Sequence, residues 1–183
     1  MTWTDPNTRN TGDLVTAQIY NDEIVTNLEH LHDRTCTLLL TPLYTATQGG
    51  GHPTLITTYS GVTFYYYRNT LPDTLNFAAV IPDDFDSLTR LTAILVPSGT
   101  LQIEYDCYVI YGAIGEHPDN HNASRLNQTI AAGTADHMIT EDISSLVPDL
   151  AAGDYLQINI RGSTNANNHN IAVPGILLEY ARV

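Results

Sequence analysis

The chain contains no lysine, only two cysteines and no long apolar run. Its seven basic residues are all arginines, and twenty acidic residues leave a formal net charge of −13 over 183 residues. Nucleic acids and anionic membrane surfaces select clusters of basic residues, so we expect neither as a partner. No apolar stretch approaches the roughly eighteen residues that a membrane-crossing helix needs.

Cysteine is too scarce for a disulfide framework. Cys36 and Cys107 lie in strand-like runs, where two buried thiols are favoured over a disulfide. Residues 1–13 have neither a basic start nor an apolar middle, so no secretory signal is expected. Both features fit assembly in a reducing cytoplasm.

The usual catalytic motifs are also missing. The chain has no Gly-x-Ser-x-Gly nucleophile elbow, and the glycines at 49–51 lack the lysine of a phosphate-binding loop. Pairs of carboxylates occur by chance in any acidic protein and do not by themselves indicate glycoside hydrolysis. The sequence therefore predicts a non-enzymatic protein that needs no cofactor.

What the chain does have, from residue 34 to residue 183, is a series of short strands separated by Gly, Pro, Asn and Asp. In residues 101–109, apolar positions alternate with Gln102, Glu104 and Asp106, which predicts one face in a core and the other in water. Residues 156–161 alternate in the same way. This spacing, without a βαβ rhythm, favours an antiparallel β-sandwich, with a jelly roll first and an immunoglobulin-like topology second.

Ahead of this mainly β domain lie an extended arm and one short α-helix. The arm, residues 1–15, has Trp3 as its only aromatic residue and too little apolar surface to offset the entropy of ordering. Residues 16–33 are predicted to be helical because apolar residues recur at steps of three and four. These positions are Tyr20, Ile24, Leu28 and Leu31. Their apolar face is expected to pack on the β-domain or on copies of itself.

One pattern in this segment carries a family resemblance. It comprises Trp3, Pro6, Thr-Gly-Asp-Leu-Val-Thr-Ala at 11–17, Tyr20, Asn21, Asn27, Leu28 and Leu31. The pattern, in roughly the first sixth of the chain, resembles the start of tailed-bacteriophage virion proteins such as tail-fibre, head-fibre and capsid decoration proteins. The resemblance implies that Trp3 and the helix attach an oligomeric β-domain, most of all a homotrimer, to capsid, neck or tail proteins. It also implies a location in the virion.

A lectin-like receptor-binding module is the alternative. In the aromatic run 64–67, Tyr65 and Tyr67 are predicted to face away from Phe64 and Tyr66. At least one pair is expected in a core, and for the other pair packing in a core or a subunit contact is favoured over a sugar-stacking platform. Loops at 49–53, 116–125 and 163–170 would then bind a host-surface glycan.

The best metal candidates are four residues between positions 116 and 121: Glu116, His117, Asp119 and His121. Pro118 prevents a regular helix that would place both histidines on one face, and no other region offers a matching fourth ligand. The aspartates at 83–86 supply oxygen ligands but lack EF-hand spacing. Solvated loops are favoured at both places, and no metal site is predicted.

Overall fold

The computed structural model describes residues 20–25, 28, 35–43, 54–59, 62–67, 74–97, 103–130, 137–162 and 171–183. These residues include eleven strands: β1 (Cys36–Leu40), β2 (Pro42–Leu43), β3 (Thr54–Tyr59), β4 (Val62–Tyr67), β5 (Thr74–Val80), β6 (Phe85–Pro97), β7 (Ile103–Gly112), β8 (Asn122–Ile130), β9 (Ile139–Asp142), β10 (Tyr155–Gly162) and β11 (Ile171–Arg182). Short 3-10 helices cover Pro118–His121 and Ser144–Leu146.

The strands form two antiparallel sheets. The six-stranded sheet has the order β3-β4-β11-β6-β9, with β1 also paired to β11, and the five-stranded sheet has the order β2-β5-β10-β7-β8. Without the short β2 and the β3–β4 hairpin, the two sheets reduce to β1-β11-β6-β9 and β5-β10-β7-β8. This is the strand order of a jelly roll, so the predicted jelly-roll-like β-sandwich is confirmed.

The core lies between the two sheets and follows the alternation that the sequence predicts. Tyr105, Cys107 and Val109 of β7 are buried, and so are the apolar residues of β10. The β10 residues are Leu156, Ile158 and Ile160. Both cysteines are free thiols, as expected, although Cys36 is only half-buried. Leu101 and the side chain of Ile103 lie outside the described residues.

Several element boundaries differ from the predicted ones. The sequence pattern predicts a loop or a single helical turn at residues 82–87, but β6 begins at Phe85, which pairs with Arg182 of β11 and whose buried ring stacks on Tyr180 with centroids 5.5 Å apart. The pattern also predicts separate strands at 171–173 and 176–180, and in the structure these are one strand, β11. The register shift between Ala172 and Gly175 accommodates Pro174 without ending the strand.

The helical segment is described only at Tyr20–Val25 and Leu28. Tyr20–Val25 adopts a π-helix, which corrects the predicted α-helix at these residues. Tyr20, Ile24 and Leu28 are between 43% and 59% exposed. The rest of residues 1–33, Trp3 and Leu31 included, lies outside the described residues. Within the described part of the chain, no helix is long and apolar enough to cross a membrane.

A polar contact ties the β8 edge of one sheet to the β9 edge of the other. Arg125 of β8 donates from Nη1 to the carbonyl oxygen of Asp142 at 2.7 Å and also bonds the Ser145 hydroxyl. The Asp142 carboxylate accepts the Ser144 hydroxyl at 2.6 Å and the Ser144 N–H at 2.9 Å, which lowers the pKa of Asp142. These bonds hold β8, the edge strand of the five-stranded sheet, against β9 of the other sheet and the residues that follow β9.

Candidate functional site

The outer face of the five-stranded sheet carries the candidate site. Because side chains alternate along a strand, the buried residues of β7 and β10 place their neighbours on this outer face. The outward residues of the two paired strands are Asp106, Tyr108, Ile110, Tyr155, Gln157, Asn159 and Arg161. Two hollows lie over them and share Ile110. We call these hollows together the outer groove.

The larger hollow has a volume of about 510 Å³ and is lined by polar and aromatic side chains. They include Thr74, Tyr108, Asn122, Ser124, Asn159 and Arg161. The smaller hollow, about 250 Å³, lies toward the 113–117 turn and is lined by residues that include Ile114, Glu116, His117, Tyr155 and Gln157. From Tyr155 to Arg161, β10 rises about 20 Å at about 3.3 Å per residue, which sets the length of the outer groove.

Strand pairing aligns the polar side chains in rows across the sheet. In one row Asn159 of β10 lies opposite Tyr108 of β7 and Asn76 of β5, and Tyr108 lies opposite Ser124 of β8. In the next row Gln157 lies opposite Ile110. The Gln157 amide donates to Asn159 Oδ1 at 3.4 Å, so the two rows are connected. The centre of the groove thus combines amides and hydroxyls with one aromatic ring.

Asp106, Arg161 and Tyr108 form a linked group at one end of the groove. The Arg161 guanidinium lies 4.4 Å from the Tyr108 ring centroid and also bonds the Tyr108 hydroxyl. Its Nε donates to Asp106 Oδ2 at 3.2 Å. A cation over an aromatic face is attracted by the ring quadrupole, so the guanidinium fixes the orientation of Tyr108.

The sequence predicts that Asp106 faces water together with the other polar residues of β7. The structure corrects this prediction, because Asp106 is only 5% exposed. Its second oxygen accepts the backbone N–H of Asn127 at 2.8 Å. The pairing of β7 with β8 shifts register between Tyr105 and Cys107, and Asn127 has a φ of 51°. This β-bulge directs an N–H toward the carboxylate, which satisfies it without water.

The opposite end of the groove is more apolar. Tyr155 is 43% exposed and lies opposite the exposed Val80 of β5. Ile114, in the turn that follows β7, is 86% exposed. This end offers flat apolar surface beside the amide of Gln157.

The metal candidates are only partly brought together. Glu116 Oε2 lies 3.7 Å from His121 Nε2 and accepts the Ala113 N–H at 3.2 Å, while His117 lines the smaller hollow. The side chain of Asp119 lies outside the described residues. Across the described ranges, no group of three or more His, Cys, Asp or Glu side chains is arranged to hold a metal ion.

Of the predicted glycan contacts, the loop at 116–125 contributes to the outer groove through Glu116, His117, Asn122 and Ser124. Tyr65 and Tyr67 lie on β4, in the other sheet, and their side chains lie outside the described residues. So do the loops at 49–53 and 163–170.

Tyr108 and Tyr155 were not identified from the sequence as candidate site residues. The available signal was an aromatic residue at Tyr108 followed by Ile110, both on a strand face expected to be wet. Apolar residues at alternate positions of such a face indicate a binding surface.

Neither a protein-family model nor a curated protein matches the chain. Among solved structures it is similar to the CBM36-1 domain of a multidomain xylanase from the hindgut metagenome of Trinervitermes trinervoides, with 13% identity and a TM-score of 0.42 over 82% of this chain and 100% of that one. It is similar to the xylan-binding module CBM15 with the same identity and TM-score, over 82% of this chain and 98% of that one. Structural similarity at this level does not identify a ligand. Any inference about the ligand has to rest on the residues of the outer groove.

Proposed function

We propose that the protein is a non-enzymatic glycan-binding module whose outer groove holds a carbohydrate chain along β7 and β10. The observation that supports this proposal is the combination of an exposed and a partly buried tyrosine with side-chain amides and hydroxyls on one open surface about 20 Å long. A jelly roll is shared by proteins of many activities, so the residues of the outer groove, and not the fold, support the proposed function.

A sugar ring presents an apolar C–H face and a rim of hydroxyl groups, and the groove has surfaces for both. Tyr155 supplies an exposed flat ring with a polar tip, which suits the C–H face, and Tyr108 supplies a second, partly buried ring that Arg161 orients. The amides of Gln157 and Asn159 both donate and accept, so each can bond a hydroxyl in either role.

The carboxylates of the groove are poorly placed for glycoside hydrolysis. That reaction needs two carboxyl groups on either side of the scissile bond. Asp106 is buried and bonded to Arg161 and to the Asn127 N–H, and Glu116 lies by the turn at the far end of the groove. Binding without cleavage is therefore the function that we propose.

Truncation of the two tyrosines tests the proposal. Tyr108→Ala and Tyr155→Ala should each weaken glycan binding on the order of tenfold, which corresponds to about 1.4 kcal/mol, because each removes a stacking surface. Binding is measured by calorimetry with the oligosaccharide that an array selects. Met138→Ala is the control, since Met138 is an exposed apolar side chain, 64% accessible, that lies outside the groove. Unchanged affinity in both tyrosine variants would contradict the proposal.

We further propose that this module is carried on a phage virion through its N-terminal segment. The observation that favours this role is the exposure of Tyr20, Ile24 and Leu28, three apolar residues on one short segment. Covering such side chains is worth roughly 1.5 to 3 kcal/mol each, which favours their burial against a virion protein or against copies of this chain in a trimer.

Deletion of residues 1–13 tests attachment separately from binding. The truncated protein should keep its thermal unfolding temperature and its glycan affinity, but it should no longer be incorporated into particles, because the arm provides the contact to the virion. Incorporation is measured by mass spectrometry of purified particles. Normal incorporation of the truncated protein would count against this role.

A further inference from the structure

We propose that the outer groove selects neutral over acidic glycans because Asp106 cancels the charge of Arg161; this inference rests on the proposed glycan-binding function. Arg161 is the cation that lines the larger hollow. The selectivity would be set by a carboxylate beneath the surface that never contacts the sugar, so Asp106 acts as a positioning and charge-balancing residue.

The geometry makes the cancellation effective. Asp106 Oδ2 lies 3.2 Å from Arg161 Nε, and the Asp106 side chain is 8% exposed, whereas that of Arg161 is 38% exposed. Salt screens a partly buried pair much less than a surface pair. The Asn127 N–H holds the other carboxylate oxygen, so Asp106 cannot turn away from Arg161. A ligand at this end of the groove therefore meets an ion pair with no net charge, in which the Arg161 guanidinium is already bound to Asp106.

The other described charges nearby do not favour an anion. Glu116 lines the smaller hollow, which places a carboxylate at the Tyr155 end. The Arg125 guanidinium is bonded to the Asp142 carbonyl and the Ser145 hydroxyl on β9 and its following turn. The whole chain carries −13. An acidic glycan would thus be repelled at long range, and the arginine among the described residues that line the groove is already paired with a carboxylate.

The Asp106→Asn variant tests the effect of the negative charge of Asp106 on its own. The amide oxygen of asparagine can still accept from Arg161 Nε or the Asn127 N–H, but Arg161 keeps an uncompensated positive charge. We expect this variant to gain affinity for acidic glycans by about tenfold at low salt, and the gain should shrink as the salt concentration rises. Asp86→Asn is the matched control, because it changes the net charge equally from an exposed position on β6 of the other sheet.

The experiment compares immobilised hexasaccharides of two classes. The neutral probes are β-1,4-linked glucose, xylose and mannose oligomers, and the acidic probes are oligogalacturonate, oligomannuronate and hyaluronan. The wild-type protein should bind at least one neutral probe and prefer it to every acidic one, with less than about a twofold change between about 20 and about 500 mM salt. Circular dichroism checks that the Asp106→Asn protein is folded.

The outcomes separate the two proposals. A wild-type protein that binds acidic probes more tightly, or whose binding to its best probe falls steeply with salt, overturns the neutral selectivity but leaves glycan binding intact. Binding of neither class overturns the proposed function and the selectivity together. If Asp106→Asn does not fold, the wild-type preference and salt titration still decide. An Asp106→Asn variant that folds but gains no more than Asp86→Asn also overturns the proposal.

Discussion

At the scale of the residue, one carboxylate determines the character of the candidate site. Asp106 orders Arg161, and Arg161 in turn lies against the Tyr108 ring at 4.4 Å from its centroid. Such a chain of contacts fixes the ring before any ligand arrives, which lowers the entropy cost of binding. The alternation of β7 correctly places Asp106 on the outer face. Its burial depends on the bulge of β8 at Asn127, and no local pattern of β7 contains that information.

The two cysteines should differ sharply in reactivity. Burial raises the pKa of the Cys107 thiol to about 12, so it stays protonated even at mildly alkaline pH, and reagents reach it less easily than the half-buried Cys36. A disulfide reagent at mildly alkaline pH should therefore label one thiol per folded chain, as measured by intact mass, and two after denaturation. Cys36→Ser serves as control and should label none until it is unfolded. Rapid native labelling of Cys36→Ser would contradict the burial of Cys107.

At the scale of the element, strands with strong alternation were predictable and weakly patterned ones were not. β7 and β10 were identified with their inward faces because each has one apolar side. The sequence predicts no strand at β2 or β9, since these have only two and four residues and are strands through their pairing with β5 and β6. The π-helix at Tyr20–Val25 has the same apolar spacing as an α-helix over one turn, so the type of helix could not be predicted.

The bulge of β11 makes Gly175 sensitive to substitution. A Cβ atom there would lie 2.7 Å from Leu39 Cδ1 and 3.0 Å from the Leu40 carbonyl oxygen, so the Leu39 side chain would have to turn away and the β1 backbone would have to shift slightly from β11. Gly175→Ala should lower the free energy of unfolding by about 1 to 3 kcal/mol, measured by urea denaturation. Thr37→Ala, on an exposed position of β1, should change it by less than about 0.5 kcal/mol. Equal stability of Gly175→Ala and the wild-type protein would contradict this close approach.

At the scale of the whole molecule, the outer groove exists only because the jelly roll brings together four strands that are distant in sequence. β5, β10, β7 and β8 are neighbours in the sheet but not in the chain order, apart from β7 and β8. The sequence could show that Asn159 and Tyr108 each face outward, but their pairing is a property of the sheet. The binding loop predicted at 116–125 is a loop only as far as His121, because residues 122–125 belong to β8, whose position beside β7 is again a property of the sheet.

The most direct test of glycan binding in the outer groove is a backbone amide NMR titration of the whole chain with the neutral hexasaccharide that binds best. Glycan binding in the outer groove should give saturable chemical-shift changes concentrated in residues 106–110, 122–124 and 155–161, which border the two hollows. The amides of β1 and β6, on the other sheet, should stay unchanged. Shifts confined to the six-stranded sheet would contradict binding in the outer groove, and so would a spectrum that no glycan alters.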